Sequence, residues 1–138
     1  MMENKRFTLD EANDLLPQLK EDLLKLQQLT AQFEEQFVLY QKTKAHHKKF
    51  ASPVKEKADP FFEIEGQLDF MRMETDMLIE NFSRKGVLLK MISPGLIDFP
   101  AVLDGEDILI CWKEGEEHVS HYHGWNDGFM GRKPFPEA

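Results

Sequence analysis

Residues whose side chains do chemistry cluster in the last third of the chain. Asp98 lies in GLIDFPA, Cys111 in ILICWKEGEE, and His118, His121 and His123 follow in EEHVSHYHGW. The Asp104–Gly105 pair between the first two segments is a preferred two-residue hairpin turn. Pairing Leu103 with Glu106 across it sets Asp98 directly opposite Cys111 on one face of a sheet. The histidine that joins them depends on the turn at Glu114–Gly115. A two-residue turn brings His118 beside Cys111. A three-residue turn with Gly115 as a bulge brings His121 and His123 to that face instead.

Three readings suit such a set. A Cys–His–Asp arrangement can make a nucleophile, which needs thiolate and imidazole within hydrogen-bond reach. The segment around Cys111 carries no cysteine-hydrolase signature, which weighs against it. A metal site is the second: His121 and His123 place two imidazoles on one strand face, with Asp98, Glu116 or Cys111 to complete the ligands. The third is structural, with Cys111 a small core residue and the histidines at a wet edge. It outweighs the others, because most such residues in small domains do no chemistry. Arg132, in GFMGRKP, can clamp an anion through its planar fork or pair with Asp98 or Glu116. No Walker loop, GxGxxG or CxxC is present, so the glycine-rich tail is no sign of a nucleotide site.

The elements that must position these residues can be read from periodicity. Thr8 and Glu11 form a capping box. Ala12, Leu16, Leu19, Leu23, Leu26, Thr30, Phe33, Phe37 and Tyr40 then recur in alternating steps of four and three, a heptad seam with a kink expected at Pro17. Asp59 as N-cap and Pro60 at the first helical position start a second helix. Its seam is Phe61, Ile64, Leu68, Met71, Thr75, Leu78 and Phe82, and Gly86 ends it. Gly66 inside it calls for close helix approach in compensation. The predicted fold is α+β in one domain: a long antiparallel two-helix hairpin, then a small antiparallel sheet of about three to four strands. Helix 1 covers 8–49, the loop 50–58, helix 2 59–85, the sheet 87–123 and a wrapping C-terminal loop 124–138. The sheet face bearing Ile97, Phe99, Ala101, Ile108, Ile110 and Trp112 is wholly apolar and should pack on the helices.

Composition bounds the partners. The net charge of −8 repels phosphate backbones, so nucleic acid is an unsuitable ligand for the body of the chain. Lys42, Lys44, Lys48, Lys49, Lys55 and Lys57 nevertheless crowd the tip of the helical hairpin, which is either a solvated end or a dock for an acidic partner. No apolar stretch suits a leader or a membrane span, so a cytoplasmic location is expected. Leu15, Leu24, Leu29, Val38, Met73, Met77 and Ile79 lie off the two seams and need further cover, from the sheet or from a second subunit.

The segments FTLDEANDLLPQL, GVLLKMISPGLIDFPA, ILICWKEGEE and YHGWNDGFMGRKP resemble a family of small uncharacterised bacterial proteins, domain of unknown function 2203. That resemblance implies the fold and a bacterial cytoplasm, but no activity and no cofactor. By position it singles out Asp98, Cys111, Trp112, Glu116, His123, Gly131 and Arg132 as motif residues, and leaves out His118 and His121. It favours His123 acting with Asp98, Glu116 and Arg132 over a His121–His123 metal pair. The leading expectation is a non-enzymatic, homodimeric interaction or regulatory protein that self-associates through its helices. The alternative is a small metal- or ligand-binding enzyme using the Asp98, Glu116, His123 and Arg132 face, with a divalent metal as its cofactor.

Overall fold

The computed structural model describes residues 5–50 and 59–137. Two helices, α1 (Leu9–Phe50) and α2 (Phe62–Arg84), precede a five-stranded antiparallel sheet. Its strands are β1 (Leu88–Met91), β2 (Leu96–Leu103), β3 (Glu106–Lys113), β4 (His121–Gly124) and β5 (Lys133–Pro134). Their spatial order is their chain order. The α+β architecture matches the sequence expectation, with one strand more than the upper expectation. The extra strand, β5, is a two-residue pairing inside the tail expected to be a wrapping loop, against His121 and Tyr122.

The capping box at the start of α1 is made in both directions. The Thr8 N–H donates to Glu11 Oε1 at 2.9 Å, and the Glu11 N–H to Thr8 Oγ1 at 3.1 Å. The helix continues through Pro17. At α2 the start differs from expectation. Asp59 Oδ1 accepts the Phe61 N–H at 2.9 Å, but this closes a turn, and regular helix begins only at Phe62. The other end is a Schellman motif. Val87 N–H bonds Phe82 O at 3.2 Å and Gly86 N–H bonds Ser83 O at 3.0 Å, which requires the φ of +86° at Gly86.

The β2–β3 hairpin has the register that the Asp104–Gly105 turn dictates, with φ of +53° and +81° at its two central residues. Ile97, Phe99, Ala101, Ile108, Ile110 and Trp112 are buried against Leu16, Leu19, Leu23 and Leu26 of α1 and against Phe82. The more distal half of the hairpin is held by a thinner contact. Tyr40 meets Phe61 edge-on at 6.0 Å and donates its hydroxyl to Glu65 Oε1 at 2.8 Å. Gly66 does not serve helix approach: a Cβ there would meet nothing within 4 Å, so it lies on the open side of α2. Of the hairpin-tip lysines, Lys42, Lys44, Lys48 and Lys49 are exposed at the end of α1, and Lys44 bonds the Tyr40 hydroxyl at 3.0 Å. Lys55, Lys57 and the expected loop itself lie outside the described residues. Among the described residues, no helix is long and apolar enough to cross a membrane.

Candidate functional site

The sheet face turned away from the helices carries the chemistry. Asp98 of β2 pairs with Cys111 of β3, and β4 adds His121 opposite Cys111 and His123 opposite Leu109. The β3–β4 connection, residues 114–120, is longer than either turn the sequence suggests, and β4 starts at His121. Both local and tertiary bonds hold this connection. Trp112 Nε1 donates to Glu116 O at 2.9 Å, and Lys113 N–H to Glu116 Oε1 at 2.8 Å. Farther along, the Asn13 side chain grips Val119 like a neighbouring strand: Val119 N–H donates to Asn13 Oδ1 at 2.8 Å and Asn13 Nδ2 donates to Val119 O at 3.1 Å. His118 stays in the turn, exposed beside Glu117, and does not reach Cys111.

Asp98, Cys111 and His123 are all buried, and one donor atom from each lies within 4.8 Å of the other two. Among the described residues, the buried polar or charged side chains are Asp22, Asp98 and His123. Asp22 is neutralised by Lys85. Asp98 and His123 answer to each other, His123 Nε2 lying 3.3 Å from Asp98 Oδ1. On the far side of the ring, His123 Nδ1 lies 2.8 Å from Gly124 O. A carbonyl only accepts, so Nδ1 carries a hydrogen and the Nε2 side is aimed at the carboxylate.

Glu116 and Arg132 flank this cluster as a two-pronged ion pair, with Arg132 Nη1 to Glu116 Oε1 at 2.9 Å and Nη2 to Oε2 at 2.6 Å. Burial alone raises the Glu116 carboxyl, but the bonds from Arg132 and from the Lys113 N–H outweigh it and hold the group below the usual carboxylate range. Arg132 also stacks on the Phe129 ring, 4.2 Å from its centroid. Its fork is therefore satisfied within the chain and is not held open for an anion. His121, offered in one reading as a metal partner of His123, is not among the three clustered donors; its Nδ1 lies 2.9 Å from Ser120 Oγ.

Burial, the Asp98 charge and a hydrogen bond to Asp98 push the Cys111 thiol up to about 12. At pH 8 that leaves on the order of one thiol in ten thousand ionised. Cys111 should therefore be inert to a disulfide thiol reagent in the folded protein and react fully once unfolded. Rapid labelling of the native protein would contradict this and restore the nucleophile reading.

A second feature lies on α2. On the side of α2 away from the seam that faces α1, Phe62, Phe70, Met73 and Met77 form another apolar stripe, with Gly66 between them at helical spacing. Their exposures are 78%, 61%, 62% and 65%. Of the residues lying off the seams, Leu15 packs on the core, whereas Leu24, Val38, Met73, Met77 and Ile79 remain exposed.

No curated protein and no solved structure matches the chain. Residues 5–135, which include both helices, all five strands and every residue of the sheet-face cluster, match the family described as Uncharacterized conserved protein (DUF2203), and the chain belongs to that family.

Proposed function

We propose that the protein is a non-enzymatic interaction protein that works as a homodimer joined through α2. The observation that supports this is the second apolar stripe, since monomeric proteins rarely leave contiguous large side chains at such exposure. The stripe is self-complementary. In an antiparallel pairing centred beside Phe70, Phe62 stands opposite the partner's Met77, and the small Gly66 opposite the partner's long Met73. Such pairing is what an isologous two-fold interface needs. A Cβ at Gly66 meets nothing within 4 Å inside the chain, so the glycine serves no packing need of the monomer.

Fully burying each of these side chains contributes about 1.5–3 kcal/mol. Summed over two subunits this is comparable with the cost of association, so the centre of the stripe is decisive. Sedimentation equilibrium at micromolar concentration should give a dimer for the wild-type chain. Phe70→Glu should weaken it at least about tenfold, because it buries two like charges near the axis, while circular dichroism stays unchanged. A wild-type monomer at that concentration would refute the proposal.

A further inference from the structure

We propose that Asp98, Cys111 and His123 form a binding site for a borderline divalent metal ion, with Zn2+ as its type. This goes beyond self-association and does not depend on it. The site uses a carboxylate, a thiolate and an imidazole, the donor set that zinc accepts. Three adjacent strands, β2, β3 and β4, supply one ligand each.

The geometry carries the inference at the Asp98–His123 contact. With Nδ1 donating to Gly124 O, a neutral His123 presents the lone pair of Nε2 to Asp98 Oδ1, which is also an acceptor. Two acceptors facing each other in a buried place need a positive charge between them, which either a proton, making an ion pair, or a metal ion supplies. Their separation of 3.3 Å is suited to a metal. Bonds of about 2.0–2.1 Å at a tetrahedral centre put neighbouring nitrogen and oxygen ligands about 3.3–3.4 Å apart. Cys111, whose donor lies within 4.8 Å of the other two, needs a closure of at most about 1.2 Å to complete the face. The Gly124 carbonyl then fixes ring orientation, as outer-shell partners of metal-bound histidines do.

Charge also balances. Binding expels the Cys111 proton to solvent, and a divalent cation with one thiolate, one carboxylate and a neutral imidazole is electroneutral. The neighbouring Glu116–Arg132 pair cancels within itself. Burial of the whole set is then compatible with the low polarity around it. Three protein ligands leave one position of a tetrahedron for water or another small donor.

Cobalt titration of untagged protein, purified in chelator and then freed of it, tests this without a variant. Cys111 is the single cysteine in the chain, so any cobalt–thiolate charge-transfer band in a one-to-one complex reports on it. We expect that band, intense tetrahedral visible bands, and displacement of cobalt by zinc. His123→Ala should weaken binding at least about tenfold, and His121→Ala should leave it unchanged. Cobalt bound without the thiolate band, or not bound at all, would overturn the site, as would equal weakening by the two histidine variants. The contact between Asp98 and His123 would then be a buried ion pair.

Discussion

Replacing Phe82 by alanine is expected to cost about 3–5 kcal/mol of folding free energy, the range for emptying a fully buried aromatic site. Phe82 is 0% exposed and lies in the core cluster where α1, the end of α2 and the sheet come together. Its backbone is independently fixed, since its carbonyl accepts both the Lys85 N–H at 3.1 Å and the Val87 N–H at 3.2 Å. The helix end therefore cannot collapse into the hole, and the cavity stays. Urea titration at one fixed protein concentration should show a lower midpoint with an unchanged slope. The fixed concentration matters because self-association raises apparent stability with concentration. Met130→Ala is the matching control: Met130 is 93% exposed, and its loss should stay within about 0.5 kcal/mol. A Phe82→Ala midpoint indistinguishable from that control would mean the core does not close at this point.

Asn13→Ala should destabilise the fold by about 2–4 kcal/mol, more than an ordinary helix-surface change. Asparagine is an indifferent residue in a helix, and alanine a better one, so local propensity alone favours the variant. The opposing effect is tertiary. The Asn13 amide satisfies both the N–H and the carbonyl of Val119, a residue that is 1% exposed. Removing the amide strands two backbone groups away from water, at about 1–3 kcal/mol each. Amide hydrogen exchange gives a local readout: Val119 should lose protection in Asn13→Ala beyond the global change. If the variant is as stable as wild type, the turn between β3 and β4 holds itself and Asn13 is incidental.

Parts of the architecture that rest on local chemistry were legible in the sequence. Asp104–Gly105 can adopt two consecutive positive φ values, so the β2–β3 register and the Asp98–Cys111 pairing follow from two residues. Thr8 and Glu11 similarly define the start of α1. What escaped was set by groups far apart in the chain. The placement of β4 depends on Asn13 reaching Val119, 106 residues away, and no local pattern announces that bond. The strand β5 is two residues long and contains Pro134, so it has neither the length nor the alternation that marks a strand.

The candidate site was half legible for the same reason. The Asp98–Cys111 pairing, and its meeting with a histidine, depend on strand alternation. His121, offered in one reading as a metal partner of His123, has its Nδ1 against Ser120 Oγ, a bond that strand alternation does not reveal. Gly66 shows the reverse error. Its helical spacing matched the seam poorly, and it belongs to the second stripe, where an absent side chain has meaning only against another surface.

The chain order of the sheet has a consequence for how the protein is made. Each strand pairs with its sequence neighbour, so the sheet closes short loops and can zip up quickly once its residues are available. The inner face of α1 has no such nearby mate. Leu16, Leu19, Leu23 and Leu26 are buried against Ile97, Phe99, Ile110 and Trp112, which leave the ribosome after roughly 70–95 more residues. At about 5–20 residues per second, that is an interval of several seconds or longer. Throughout it the nascent chain presents a row of leucines that the sheet has yet to cover. Synthesis therefore passes through an aggregation-prone stage that a finished domain does not reveal, and slowing translation before β2 should lengthen that stage and lower the yield of folded protein.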